Sequence, residues 1–131
     1  MNKYMIGIDI GGTSIKLGLF AYEGELIHKW SIPTNIENNG LSIVSDCWES
    51  ITEKLQNMSV PKEQILGIGV GVPGFISNGV VDEAINIGWK NKDIIKEFKE
   101  LSGLPVFIEN DANLASLGEN WFMPPKLVAF M

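Results

Sequence analysis

An acid, two glycines and a hydroxyl stand together at the end of an apolar run, Asp9-Ile10-Gly11-Gly12-Thr13. Bare backbone amides, a hydroxyl and a carboxylate gathered at a strand end can hold a phosphate group and its metal ion. A Gly-Gly pair between strands often serves only as a turn, supplying the positive φ of a tight two-residue connection. Asp9 adds more than a turn requires. Ile8 and Ile10 flank it, so its carboxylate stands on the face opposite theirs and needs a compensating partner, such as a metal ion or a donor group. The spacing is neither Gly-x-x-x-x-Gly-Lys-Ser/Thr nor a Gly-x-Gly-x-x-Gly that opens a helix, which separates it from other glycine-rich phosphate loops. Gly67-x-Gly69-x-Gly71 does follow an apolar run, but Pro73-Gly74 comes directly after it and argues against a dinucleotide-binding helix there.

Two further strand ends carry residues fit for a ligand, at Gly71 to Gly74 and at Asn110-Asp111. Asp111 closes a strand and opens a helix, where its ordinary role would be an N-cap. Three such sites, after three strands of one sheet, suggest one cleft. Lys16 invites assignment as a phosphate ligand, yet alternation turns it away from the Ile15 and Leu17 face, and it reads as a solvated strand lysine. His28 reads as an exposed strand residue, because no acid or nucleophile is paired with it by sequence.

The elements that must position these residues follow from the hydrophobic periods. Ile6, Ile8 and Ile10 alternate before the glycine pair, and Ile15, Leu17 and Leu19 after it, which predicts a hairpin. A turn over residues 21–25 leads to a third strand over residues 26–32, ended by Pro33, and residues 34–40 form a polar loop. Ile43, Val44, Cys47, Trp48, Ile51, Leu55 and Met58 fall at three-to-four spacing, which predicts a helix over residues 41–58 with Cys47 in its packed stripe. Residues 65–72 form a nearly continuous apolar strand of the kind covered on both faces. A small hairpin about Asn78-Gly79 joins residues 75–77 to 80–82, and residues 86–91 read as a loop. A helix begins near Asp93, carries Ile94, Ile95, Phe98 and Leu101 on one face, and stops at Gly103. Residues 105–108 form the next strand, followed by an Ala/Leu helix. This order predicts an α/β fold, a mixed five-stranded sheet with helices on its faces, in which ligands gather at the carboxyl ends of the parallel strands.

At 131 residues the chain is one domain in the ordinary size range. A net charge of −6 with no lysine or arginine run argues against a nucleic-acid surface. No apolar run approaches the roughly 18 residues of a membrane span, so no membrane partner is expected. One cysteine permits no internal disulfide and no thiolate zinc cluster. The expected compartment is the cytoplasm.

Four segments, in this order and spacing, carry a resemblance: Asp9-Ile10-Gly11-Gly12-Thr13, Gly69-Val70-Gly71-Val72-Pro73-Gly74, Asn86-Ile87-Gly88-Trp89 and Glu109-Asn110-Asp111-Ala112-Asn113-Leu114-Ala115. Together they resemble the ROK (repressor, open reading frame, kinase) sugar kinases, and bacterial glucokinases most of all. The resemblance covers residues 4–122 and implies the actin-like, ribonuclease-H-like ATPase fold. It implies ATP and Mg²⁺ as cofactors and a hexose, glucose above all, as substrate. By that likeness Asp9 would help hold the magnesium ion, and Gly11, Gly12 and Thr13 would face the nucleotide phosphates. Asn110 and Asp111 would bind sugar hydroxyls, with Asp111 the general base, and Gly71 and Asn86 would line the sugar side.

The family pattern also includes a second half with another phosphate loop, an adenine pocket, a Glu-x-Gly-His sugar motif and a cysteine-rich zinc motif. None of these stands in the 131 residues. Residues 1–122 therefore read as an amino-terminal lobe, inactive alone. Residues 123–131 read as a divergent tail, such as a truncation, a frameshift or an expressed fragment would leave. The alternative function is a non-catalytic domain that binds sugar or phosphate and self-associates, with Leu114, Leu117, Trp121 and Phe122 as the apolar patch of a homodimer. ROK repressors fit less well, since a DNA-binding module would precede the Asp9 strand.

Overall fold

The computed structural model describes residues 2–77 and 80–110. Three strands meander first: β1 (Tyr4–Ile10), β2 (Ser14–Ala21) and β3 (Leu26–Pro33). Helix α1 (Ile43–Asn57) then crosses to β4 (Ile65–Val72), and helix α2 (Ile94–Ser102) crosses to β8 (Val106–Asn110). Between β4 and α2 lie β5 (Phe75–Ser77), β6 (Val80–Ala84) and β7 (Trp89–Lys92). The main sheet has the order β3-β2-β1-β4-β8, with β1 antiparallel to β2 and parallel to β4, and β4 parallel to β8. The five-stranded mixed sheet expected from the hydrophobic periods is therefore present.

Register puts the apolar positions in rows. Ile6 faces Leu19 and Ile68, and Ile8 faces Leu17 and Val70. These side chains share one core with Ile43, Val44, Cys47, Ile51 and Leu55 of α1 and with Ile94 and Phe98 of α2. Each fully buried aliphatic side chain of this kind contributes about 1.5–3 kcal/mol. The Trp30 indole N–H donates to the Ser50 hydroxyl at 2.8 Å and ties edge strand β3 to α1. Helix α2 has both expected ends, since the Asp93 carboxylate accepts from the Lys96 amide at 3.1 Å and Gly103 closes it at φ 71°.

Several local expectations change. The connection between β1 and β2 is not a tight two-residue turn: Ile10 pairs with Ile15, four residues lie between them, and neither Gly11 nor Gly12 adopts positive φ. Residues 86–91 are not a free loop. Ile85–Ile87 form a 3₁₀ turn, Gly88 takes φ 80°, and β7 adds to a second, three-stranded sheet of order β5-β6-β7. Within the polar 34–40 segment, Asn38 and Asn39 are both left-handed, at φ 53° and 58°. His28 is half-buried and stacks on Trp30, with ring centroids 5.6 Å apart. The Asn78-Gly79 turn and the helix expected after β8 lie outside the described residues.

Candidate active site

The parallel register collects the sequence's polar strand ends at one edge of the sheet. Asp9 pairs with Gly71 across β1 and β4, Gly71 pairs with Glu109 across β4 and β8, and Asn110 comes next, opposite Val72. Asp9, Gly71 and Asn110 thus reach the same end of three adjacent strands, where an open α/β sheet takes its ligands. Asp111 lies one residue beyond the described part of the chain.

Asp9 is buried, and a buried carboxylate demands compensation. Lys16 supplies it from the neighbouring strand: the two are register partners, and Lys16 Nζ lies 3.3 Å from Asp9 Oδ2. The lysine is half exposed but is not the merely solvated residue that alternation predicts. The pairing follows from the hairpin itself, because the Ile10 and Ile15 pair sets Asp9 opposite Lys16.

The connecting turn is held from outside. The Gly11 amide donates to the Ser14 carbonyl at 3.0 Å, the Thr34 hydroxyl donates to the Gly11 carbonyl at 2.8 Å, and the Thr34 amide donates to the Thr13 carbonyl at 3.0 Å. Gly11 is needed for close approach rather than for its φ, since a methyl group there would stand 2.7 Å from the Ser14 carbonyl oxygen. Gly12 and Thr13 are exposed, and their amides make no hydrogen bond among the described residues. Two unused N–H groups and a threonine hydroxyl therefore face solvent beside a buried carboxylate, an arrangement suited to an anion and its cation. The sequence pattern does not single out Thr34, which appears there only as a polar residue after a strand-ending proline.

The second sheet brings Asn86 to this turn. A methyl group on Gly12 would stand 3.6 Å from the Asn86 β-carbon, so the segment expected on the sugar side adjoins the segment expected on the phosphate side. Backbone packing holds this placement. Gly74 carries no side chain because one would strike the Glu83 carbonyl oxygen of β6, and Gly88 at φ 80° sits against Asn39, where a methyl group would come within 2.9 Å of its α-carbon.

No group of three or more His, Cys, Asp or Glu side chains that could hold a metal stands among the described residues. Magnesium does not need one, because it binds through one or two carboxylates and takes its remaining ligands from substrate phosphates and water. Asp9 fits that requirement. Cys47 does not enter the site: burial, with the Asp46 carboxylate adding to it, pushes its thiol up to about 12.

A mixed sheet of this order, with a buried acid near the end of its first strand and a glycine turn after it, has the actin-like ATPase fold that ROK sugar kinases share. The chain belongs to the ROK family, whose family model matches residues 5–128. A glucokinase of Halalkalibacterium halodurans is 38% identical over 122 residues, covering 92% of this chain and 37% of the glucokinase. A xylose repressor of Caldicellulosiruptor bescii is 33% identical over 120 residues, covering 90% of this chain and 30% of the repressor. The crystal structure of a ROK family glucokinase from Streptomyces griseus in complex with glucose and AMPPNP superposes with a TM-score of 0.67 at 29% identity, over 91% of this chain and 36% of that one. The chain thus spans between 30% and 37% of the length of these relatives.

Proposed function

We propose that this chain is the amino-terminal lobe of an ATP-dependent hexose kinase that converts glucose to glucose 6-phosphate, and that it is inactive alone. One observation carries the reading: the turn with unused amides at Gly12 and Thr13 adjoins both the buried Asp9 carboxylate and Asn86. In this assignment Gly11, Gly12 and Thr13 face the nucleotide phosphates. Asp9 holds magnesium, which when bound offsets phosphate charge. Gly71, Asn86 and Asn110 line the sugar side, and Asp111 accepts the proton of the sugar hydroxyl as that oxygen attacks the γ-phosphoryl group. Residues 1–122 form the lobe and residues 123–131 the divergent tail, and the compartment is the cytoplasm. Relatives with glucokinase activity in their names support the hexose class.

The test is restoration. Residues 1–122 fused to the second half of a related glucokinase are expected to form glucose 6-phosphate from ATP and glucose in a coupled assay. A folded fusion that binds neither ATP nor glucose would sink the reading. A second reading is a non-catalytic sugar- or phosphate-binding domain that self-associates as a homodimer. Light scattering decides it: a monomer at high concentration removes it.

A further inference from the structure

We infer that Thr34 is a positioning residue for the phosphate turn, a role that rests on the assignment of residues 11–13 to nucleotide phosphates. The chain offers that turn little support of its own. It spans four residues between the Ile10 and Ile15 pair, it lacks the positive-φ glycines that stiffen short hairpin connections, and its one internal bond runs from the Gly11 amide to the Ser14 carbonyl at 3.0 Å. Thr34 supplies the remaining restraint from the end of β3. Its hydroxyl donates to the Gly11 carbonyl at 2.8 Å and its amide to the Thr13 carbonyl at 3.0 Å, so the carbonyls on both sides of Gly12 are fixed by one residue. The Gly11 carbonyl shares its peptide plane with the Gly12 amide, and the one plane between the two anchored carbonyls carries the Thr13 amide, so both amides are held. The unused Gly12 and Thr13 amides therefore stand ready before any ligand arrives, and the ordering entropy is not charged to binding.

The segment that begins with Thr34 also reaches Asn86. Its far end, Gly40, accepts the Trp89 indole N–H at 3.0 Å, and Asn39 packs on Gly88. Residues 34–40 thus strap the phosphate turn to the segment carrying Asn86. Thr34 touches no reacting atom in this scheme and acts through the turn.

The experiment uses the full 131-residue chain, labelled with ¹⁵N and titrated with magnesium and AMPPNP, reading the Gly12 and Thr13 amides. Thr34→Val keeps the side-chain shape and the backbone bond but removes the hydroxyl donor. It is expected to raise the dissociation constant about fivefold and to speed amide exchange at Gly12 and Thr13. Thr34→Ser restores the donor and should bind within about twofold of the parent. Ser50→Ala, which deletes the Trp30 to Ser50 bond away from the turn, should leave the dissociation constant unchanged. If Thr34→Val does not fold, Thr34→Cys, a weak donor, carries the same comparison. A Thr34→Val chain with parental affinity and parental exchange at the turn overturns the positioning role while leaving the phosphate assignment standing. A parent chain whose turn amides ignore the nucleotide overturns the phosphate assignment itself, and the role of Thr34 with it.

Discussion

Trp89 donates its indole N–H to the Gly40 carbonyl oxygen at 3.0 Å, a buried bond between residues 49 positions apart. It locks the β3 to α1 connection onto the segment that carries Asn86. Trp89→Phe keeps most of the apolar volume and strands the Gly40 carbonyl, so stability should fall by about 1–3 kcal/mol. Gly40→Ala should cost more, because Gly40 sits at φ 69° and a methyl group there would meet the Ile87 carbonyl oxygen at 2.7 Å and the Trp89 nitrogen at 2.8 Å. Urea melts of the two variants check the order, and a Gly40→Ala chain as stable as the parent would contradict it.

The Asp9 and Lys16 pair predicts coupling. Lys16→Met leaves a buried carboxylate without its register partner, and Asp9→Asn removes the charge that Lys16 answers. Each single change should destabilise the fold, and the double variant should lose less than the sum of the two. Strict additivity in a double-mutant cycle would show that the 3.3 Å approach contributes nothing.

Cys47 should resist modification. With its thiol raised from an ordinary 9.0 to about 12, almost no thiolate exists in the native chain near neutrality. Iodoacetamide at pH 8 should label it slowly until denaturant is added. The same shift fixes a sign: the buried protonated thiol supports folding fully below the unfolded value near 9.0, and that support is lost as pH rises from there towards 12. The stability advantage of the parent over Cys47→Ala should therefore shrink across that window.

The isolated chain should show little or no hexokinase activity. In the proposed assignment Asp9 and the turn of residues 11–13 provide one side of the site, and within residues 1–131 no motif supplies the adenine pocket or the second phosphate loop that the proposal requires, so proximity is largely lost. Robust ATP-dependent phosphorylation of glucose by the purified chain, abolished by Asp111→Ala, would overturn this.

Much of this arrangement was legible because its causes are local. Alternation at Ile6, Ile8 and Ile10 and at Ile15, Leu17 and Leu19 marks the hairpin but not its register: a two-residue turn at Gly11-Gly12 would pair Asp9 with Ser14, and the four-residue connection sets it beside Lys16 instead. The stripe from Ile43 to Leu55 fixes α1, and Asp93 and Gly103 bound α2. Strand β7 was hidden because Gly88 and Asn91 are turn-forming residues, both at positive φ, and the strand exists through its pairing with β6 rather than through its own pattern. Thr34 was hidden for a related reason. Its partners are backbone carbonyls more than 20 residues away, and a carbonyl leaves no mark in the sequence.

The catalytic assignment has its own test in the fused, two-lobed enzyme. Asp111→Asn keeps the size of the side chain and can still hydrogen-bond a sugar hydroxyl, but it cannot accept the proton as that oxygen attacks. The turnover number should therefore fall about a hundredfold or more while glucose affinity changes little. Asp9→Asn should act differently, raising the magnesium requirement by weakening a hard oxygen ligand and leaving the sugar site alone. The two variants separate the roles because one change is read in kcat and the other in metal dependence. If Asp111→Asn turned over near the parent rate, Asp111 would be a helix N-cap and the base would have to be sought elsewhere at the strand ends.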